Sequence, residues 1–172
     1  MYLISPATPA DVPALAALVN SAYRGEQSKA GWTTEADLIS GKIRIDEQEL
    51  QQQIGNQSVT LLLYRNEQGM PLGSVYLERK GKKLYLGLLS VKPELQGAGI
   101  GKKLLAAAEA YAKKNDCDSI FMTVILQRTE LVDWYVRHGY RNTGEKRPFP
   151  AGNKFGEALV PLEFVVLEKM MK

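Results

Sequence analysis

The chain has 172 residues, of which 45% are hydrophobic and 24% charged, with 22 Lys and Arg against 19 Asp and Glu. This size and composition are typical of one globular domain with a sizeable core, and no apolar run approaches the roughly 20 residues that span a bilayer. The net charge of +3 suits a small anionic ligand but is too dilute to indicate nucleic-acid binding.

The predicted elements begin with a strand at LISPAT, followed by a helix that Pro9 and Asp11 open. Residues 23–44 are polar and broken by glycines, which predicts a loop with one short helix beginning at Thr33 or Thr34.

A helix and a three-stranded meander come next. Asp46 with Glu49 three residues later resembles a capping box, and Gly55 ends the helix that begins there. Runs rich in Val, Leu and Tyr, separated by NEQG and KGKK, predict antiparallel strands at 58–65, 71–79 and 83–91. The last of these is almost uniformly apolar, so we expect a central strand buried on both faces.

The second half of the chain alternates helix and strand. Its patterns predict a helix at 99–115, a buried strand at 119–126, a helix at 129–138 and two closing strands, GYRNTGEKR and PLEFVVLEK. A strand, a helix and a strand with short connections form a right-handed parallel crossover. We therefore expect a single α/β domain over residues 1–172, with a mixed, mostly antiparallel sheet of about seven strands and about four helices.

The most informative stretch is QGAGIGKK, residues 96–103, directly before a predicted helix. Three glycines at alternate positions let backbone N–H groups converge on one anion, and the helix N-terminus adds about half a positive charge. Lys102 and Lys103 add full charges. An isolated run of this kind could simply be a tight helix entry, but with the lysines it indicates a phosphate cradle.

Spacing separates three kinds of cradle. A P-loop is excluded, because it needs glycine and Ser/Thr where this chain has Gln96 and Lys103. A dinucleotide-binding motif is also excluded, because the position of its third glycine holds lysine or leucine. The pattern Q/R-x-x-G-x-G/A is fully met by Gln96, Gly99 and Gly101. On these residues the sequence resembles the GNAT superfamily of acetyl-CoA-dependent N-acetyltransferases.

A second segment carries the same resemblance. VDWYVRHGY is similar to the family's LYEKxGF segment, with Tyr135 and Gly139 in register, and the order of elements agrees over essentially the whole chain. The resemblance implies a GNAT-like acyl-CoA N-acyltransferase fold, in which strands 83–91 and 119–126 are parallel but splay apart and the pantetheine arm of acetyl-CoA lies between them. It also implies a β-bulge near Leu89 to Val91.

The resemblance further implies direct attack of a primary amine on the thioester in a ternary complex, without an acyl-enzyme. The backbone amide of Leu89 would polarise the thioester carbonyl, and Tyr135 would protonate the leaving thiolate. The residues implied for coenzyme A binding are Leu89, Val91, Gln96, Gly97, Ala98, Gly99, Gly101, Lys102 and Tyr135.

The base that takes the proton of the amine is open between Glu78, Tyr85, Glu26 and water. Arg128 is a further candidate for coenzyme A binding, because it stands where many relatives have the asparagine that contacts pantetheine. The candidates for acceptor binding are Tyr23, Glu26, Trp32 and Tyr85, in or near a loop that could cover the amine. Residues 147–155, with Phe149 and Phe155, could form the opposite wall.

We expect the acceptor to be a small-molecule amine or a peptide amine. We expect no metal, nucleic acid or membrane partner, and either a monomer or a homodimer. The start of the chain lacks a secretory pattern and Cys117 is the single cysteine, which favours the cytoplasm. Two alternatives stay open: a non-catalytic acyl-CoA-binding or sensor domain of the same fold, and a nucleotide-binding regulatory domain.

Overall fold

A computed structural model describes residues 3–150 and 156–172. It contains one seven-stranded sheet with strand order β1-β2-β3-β4-β5-β7-β6. The strands are β1 (Leu3–Pro6), β2 (Val59–Arg65), β3 (Pro71–Lys80), β4 (Lys83–Val91), β5 (Ser119–Ile125), β6 (Arg141–Pro148) and β7 (Glu163–Met170). The helices are α1 (Val12–Tyr23), α2 (Gly25–Ser28), α3 (Glu47–Ile54), α4 (Ile100–Lys114) and α5 (Thr129–Arg137).

The sheet confirms the predicted fold class. All neighbouring strands pair antiparallel except β4 and β5, which are parallel and joined through α4. The described residues form five α-helices, against about four expected, because α2 is a single turn that the sequence pattern does not reveal.

Two hydrophobic clusters sandwich the first part of the sheet. On one face, α4 packs Leu104 and Ala108 against Val75 and Leu84 of the strands. On the other face, α1 and α3 bury residues against alternate positions of β2, namely Leu15, Leu50, Leu61 and Leu63. The predicted cap of α3 is confirmed, since the Asp46 carboxylate accepts a hydrogen bond from the N–H of Glu49 at 2.8 Å.

The short helix predicted at Thr33 or Thr34 is wrong, and the turn of helix lies at α2 instead. Thr33 is engaged in a tertiary contact that competes with helix capping. Thr34 does accept a local hydrogen bond from the N–H of Ala36 at 3.1 Å, but no helix follows it. The Thr33 hydroxyl donates to the oxygen of Ala22 at 3.1 Å, and the Thr34 hydroxyl lies 2.6 Å from that of Ser28.

Strand β4 separates from its parallel neighbour after the first third of its length. It pairs with β5 only from Lys83 to Tyr85, and a bulge follows at Leu88 and Leu89, where Leu88 adopts a φ of +48°. The predicted splay is therefore present, and the bulge begins one residue before the predicted stretch. The expectation that β4 is buried on both faces is wrong beyond Leu86, because the apolar residues there line the gap that the splay opens.

Candidate active site

The gap between β4 and β5 contains two chambers. The first, which we call the arginine chamber, has a volume of about 260 Å³, and its polar wall includes Tyr23, Arg24, Glu35, Arg44, Tyr85 and Arg128. The second, the glycine chamber, has a volume of about 240 Å³ and is lined by Trp32, Gln96, Gly97, Gly99, Gly101 and Lys102, among others. The residues that line both chambers are Tyr23, Leu89, Leu131 and Tyr135.

The glycine chamber presents a row of unpaired backbone donors. Gly97 and Gly99 adopt φ values of +91° and +88°, which L side chains rarely adopt, and an added Cβ at either would meet open space. Within residues 3–150 and 156–172, no protein acceptor is found for the N–H groups of Gly97, Gly99, Ile100, Gly101 and Lys102. Ala98 departs from the predicted set, because its N–H donates to the oxygen of Leu95 at 3.2 Å. The other five N–H groups lie at the N-terminus of α4, the positive end of the helix dipole, and border the chamber.

Aromatic rings form the wall opposite these donors. A Cβ built on Gly101 would lie 3.3 Å from the ring of Trp134, so this glycine permits the close approach of α5 to α4. The Trp134 ring lies 6.1 Å from that of Trp32 and 4.3 Å from that of His138. Trp32, predicted to cover the acceptor, therefore lies on the glycine side of the gap and does not line the arginine chamber.

The side chain of Gln96 is fully engaged with the protein. Its Oε1 accepts from the N–H groups of Trp32 (2.7 Å) and Thr33 (3.3 Å), and its Nε2 donates to Thr33 Oγ1 (2.8 Å) and the oxygen of Val91 (3.0 Å). Gln96 thus connects the glycine-rich segment before α4 to Trp32 and Thr33. This arrangement indicates a positioning role for its side chain.

The end of β4 directs main-chain groups into the gap. Lys92 pairs with Leu72 of β3, and backbone groups alternate along a strand, so those of Leu89 and Val91 face away from β3. Their carbonyl oxygens are already satisfied, by the hydroxyl of Tyr23 and by Gln96. The N–H groups of Leu89 and Val91 are therefore the backbone groups that this edge offers to a ligand.

Tyr135 lies at the junction of the two chambers. Its side chain is buried against Trp134 and Tyr140, and no acceptor for its hydroxyl is found in the described part of the chain. Burial raises the pKa of Tyr135 well above its ordinary value of 10. The phenol therefore stays protonated at neutral pH and can donate a proton or a hydrogen bond into the gap.

The arginine chamber contains a charge cluster that the sequence analysis missed. The buried carboxylate of Glu35 lies 3.3 Å from Arg24 Nε, 3.6 Å from Arg128 Nη1 and 3.9 Å from Arg44 Nε. Three of these residues belong to the polar 23–44 segment, and its polarity could not reveal burial. Arg128 also donates to the oxygen of Thr33 and lies over the Tyr23 ring, so it faces the arginine chamber and lines no part of the glycine chamber.

Among the candidate bases, only Tyr85 lines a chamber. Its ring packs edge-on against Tyr76 and Phe121. Glu78 accepts a hydrogen bond from the Tyr76 hydroxyl at 2.7 Å and lines neither chamber. Glu26 is also outside both, because its exposed carboxylate on α2 pairs with Lys29 at 3.0 Å.

The predicted opposite wall is present in part. Phe149 and Pro150 line the arginine chamber, and the Phe149 ring lies 5.3 Å from that of Phe164. Phe155 lies outside the described residues. In the ranges that the structure describes, no group of three or more His, Cys, Asp or Glu could hold a metal ion. None of the described helices combines the length and the apolar character needed to cross a bilayer.

A family model described as an acetyltransferase (GNAT) domain matches residues 35–152, which is more than half of the chain. The chain belongs to the GNAT acetyltransferase family. This result confirms the family predicted from the two motifs, and the matched range includes both the glycine-rich segment 96–103 and Tyr135.

Individual GNAT proteins resemble the chain more distantly. It is 29% identical over 85 residues to a thialysine N-epsilon-acetyltransferase from Sus scrofa and 30% identical over 88 residues to an acetyltransferase from Agrobacterium fabrum. These matches cover 49% and 51% of this chain but only 50% and 63% of the two relatives. A crystal structure of the PaiA N-acetyltransferase from Thermoplasma acidophilum in complex with coenzyme A superposes with a TM-score of 0.69 at 18% identity, covering 99% of both chains. This likeness establishes the GNAT fold.

Proposed function

We propose that this GNAT protein is an acetyl-CoA-dependent N-acetyltransferase that transfers the acetyl group to a primary amine by direct attack in a ternary complex. The observation that carries the proposal is the row of unpaired N–H groups at Gly97 and Gly99 to Lys102, which opens onto the gap between two splayed strands.

The residues present are suited to coenzyme A. A diphosphate would accept hydrogen bonds from the five donors at the start of α4, and the charge of Lys102 lies in the same wall. The pantetheine arm would follow the edge of β4 and accept a hydrogen bond from the N–H of Val91, which leaves the N–H of Leu89 for the carbonyl of the thioester. Arg128 takes no part in this arm, because it lines the other chamber.

The chemistry would take place at the junction of the chambers. When the amine nitrogen bonds to the thioester carbon, negative charge develops on the carbonyl oxygen, and the N–H of Leu89 is placed to stabilise it. When the carbon–sulfur bond breaks, the electron pair leaves on sulfur, and the Tyr135 hydroxyl supplies a proton or hydrogen bond to that thiolate. The amine nitrogen loses its proton to solvent water or through Tyr85, since Glu78 and Glu26 line neither chamber.

The acceptor would enter the arginine chamber, which meets the glycine chamber at Leu89 and Tyr135. A small-molecule amine or a peptide amine is proposed as the acceptor, with residues 1–172 acting as a single domain, alone or as a homodimer. We place the protein in the cytoplasm, which the single, buried Cys117 supports.

The deciding experiment measures release of free coenzyme A thiol from acetyl-CoA across a panel of primary amines, with mass spectrometry of the products. We expect thiol release and a matching N-acetylated amine for at least one acceptor. Tight acetyl-CoA binding without turnover of any amine would contradict the enzyme and favour the acyl-CoA sensor. Equal competition by ATP and coenzyme A would favour the nucleotide-binding domain.

A further inference from the structure

The arginine chamber has an excess of positive charge. Three guanidinium groups, those of Arg24, Arg44 and Arg128, surround the single carboxylate of Glu35, which leaves a net charge of two positive in its wall (three minus one). No other carboxylate belongs to the wall among the residues described. Uncompensated charges that are partly removed from water are costly, so such a wall favours an anionic occupant.

Arg24 and Glu35 form the structural part of this cluster. Their side chains are 4% and 8% exposed, and Arg24 also donates to the oxygens of Ser40 (3.2 Å) and Ile43 (3.3 Å). The pair therefore closes the 35–43 segment over the gap. Its charges balance each other, and the excess lies on Arg44 and Arg128.

Arg44 and Arg128 have hydrogen-bond donors to spare. The Arg44 side chain is 39% exposed, and its guanidinium makes one polar contact within the described residues, from Nε to Glu35 at 3.9 Å. The terminal nitrogens of Arg128 contact the oxygen of Thr33 and, at 3.6 Å, Glu35 Oε2. Because a guanidinium has five N–H donors, these contacts leave part of each fork available for the two oxygens of a carboxylate.

The guanidinium groups of Arg44 and Arg128 would also orient an anionic molecule that binds in the arginine chamber. Arg128 lies 5.9 Å from the centre of the Tyr23 ring, and the Tyr23 hydroxyl bonds to Leu89 at the junction of the chambers. An anionic group held at Arg44 and Arg128 would leave the other end of a short molecule beside Leu89 and Tyr135. A chamber of about 260 Å³ has room for a small molecule of this kind.

We infer that the acceptor is a small primary amine that also carries an oxyanion, a carboxylate in the first instance, which Arg44 and Arg128 bind while the amine reaches the thioester. This inference rests on the acetyltransferase activity proposed above and names the acceptor class of the same site.

The test uses pairs of amines that differ only by a carboxylate, namely β-alanine with ethylamine, 4-aminobutyrate with propylamine, and lysine with cadaverine. We expect kcat/KM to be at least about tenfold higher for the carboxylate member of the preferred pair, the effect of one or two charge-assisted hydrogen bonds. An additional arm with 2-aminoethylphosphonate separates a carboxylate site from a phosphate-type site, and efficient turnover of either supports an oxyanion. Equal turnover within every pair, or preference for the member that lacks the carboxylate, would overturn the inference while leaving the acetyltransferase proposal intact.

Two variants of Arg44 and one control variant test whether the arginine chamber causes the preference for the carboxylate. In Arg44→Gln the ratio of kcat/KM within the preferred pair should fall toward one, mainly through a higher KM of the carboxylate member, and Arg44→Lys should give an intermediate ratio. Arg79→Gln, at an exposed arginine of β3 that lines neither chamber, should keep the wild-type ratio. An unchanged ratio in Arg44→Gln would exclude Arg44 from acceptor binding.

A binding measurement covers the case in which no amine is acetylated. With coenzyme A present, N-acetyl-β-alanine should raise the Tm more than N-ethylacetamide does, and Arg44→Gln should remove the difference. Equal shifts for both amides would contradict the anion site, and absent thiol release alone would contradict only the proposed activity.

Discussion

The hydroxyl of Tyr23, the last residue of α1, donates a hydrogen bond to the backbone oxygen of Leu89 at the bulge of β4. This hydrogen bond satisfies a carbonyl group that the splayed strand cannot pair with β5. It also holds Leu89 in place directly after Leu88, which adopts the left-handed conformation. This contact fixes the backbone at the point where the proposed carbonyl-polarising amide lies.

We predict that Tyr23→Phe lowers both stability and turnover. The buried oxygen of Leu89 would lose its partner, which costs about 1–3 kcal/mol of unfolding free energy, and a displaced Leu89 amide would reduce kcat. Urea unfolding and steady-state kinetics measure the two effects. Tyr140→Phe is the matched control, because the buried Tyr140 hydroxyl has no partner within the described residues and its loss should leave both quantities nearly unchanged. Similar losses in both variants would argue against a special role for Tyr23.

Tyr135→Phe should reduce kcat by about two orders of magnitude, the lower end of general-acid contributions, with little change in the Kd of coenzyme A. Isothermal titration and product formation separate these quantities, and Tyr140→Phe again serves as the control. Because burial raises the pKa of Tyr135 well above 10, the acid form persists through alkaline conditions, and kcat of the wild type should not decline below pH 10 on account of this group. Wild-type turnover in Tyr135→Phe would refute the assignment.

Gly99→Ala should weaken coenzyme A binding by more than its backbone strain explains. Gly99 (φ +88°) and the hairpin residue Gly69 (φ +81°) both have open space where a Cβ would lie. Alanine at either position should therefore cost about 1–2 kcal/mol of stability. Only Gly99→Ala should raise the Kd of coenzyme A, by about tenfold, because it disturbs the converging amides. If Gly69→Ala raised the Kd equally, the cradle would not be the cause.

Lys102 and Lys103 are adjacent in sequence but differ in their surroundings. Lys102 lines the glycine chamber, while Lys103 Nζ lies 3.5 Å from the Tyr64 hydroxyl and 5.5 Å from the centre of its ring. We predict that Lys102→Gln raises the Kd of coenzyme A up to about fivefold at low salt, as for an exposed ion pair, and that salt reduces the difference. Lys103→Gln should bind coenzyme A like the wild type. Equal effects of the two substitutions would mean that only general positive charge matters.

Asp11 provides a pH-dependent anchor away from the site. Arg65 binds its carboxylate through two hydrogen bonds of 2.7 and 2.8 Å and thereby lowers the pKa of Asp11 from 3.8 to about 2. Because the folded-state pKa lies below the unfolded one, the stabilisation is complete above pH 4 and is lost as pH falls from about 4 to 2.

Asp11→Asn should therefore lower the unfolding free energy by about 1–2 kcal/mol at pH 7, with the deficit shrinking toward pH 2. Denaturant unfolding at several pH values measures this trend. The exposed Asp133→Asn on α5 should show no such dependence. A deficit that stays constant with pH would show that the substitution acts through packing and not through the charge.

Local chemistry made most elements predictable. Asp46 and Gly55 delimit α3 through contacts within a few residues, and runs rich in Val, Leu and Tyr between turn signals located the strands to within one or two positions. The glycines of the cradle were recognisable for the same reason, since their spacing before a helix is itself the functional feature.

Long-range contacts were not predictable. Glu35 meets Arg128 across 93 residues of sequence, and no local pattern distinguishes a buried carboxylate in a polar loop from a solvated one. Thr33 carries a helix-start signal that Gln96, 63 residues away, overrides by hydrogen bonding. The hydrogen bonds of the Gln96 side chain were likewise not predictable, because the motif reports the position of this residue but not the direction of its side chain.

The engagement of Gln96 has a consequence for sequence variation in related proteins. A Cβ added to Gly31 would lie 2.3 Å from Gln96 Oε1, so the glycine leaves room for the amide that passes over it. The two positions are therefore expected to co-vary: a homologue with a larger residue at position 31 should carry a shorter side chain at position 96, and a single exchange at position 31 should be rescued by truncating position 96.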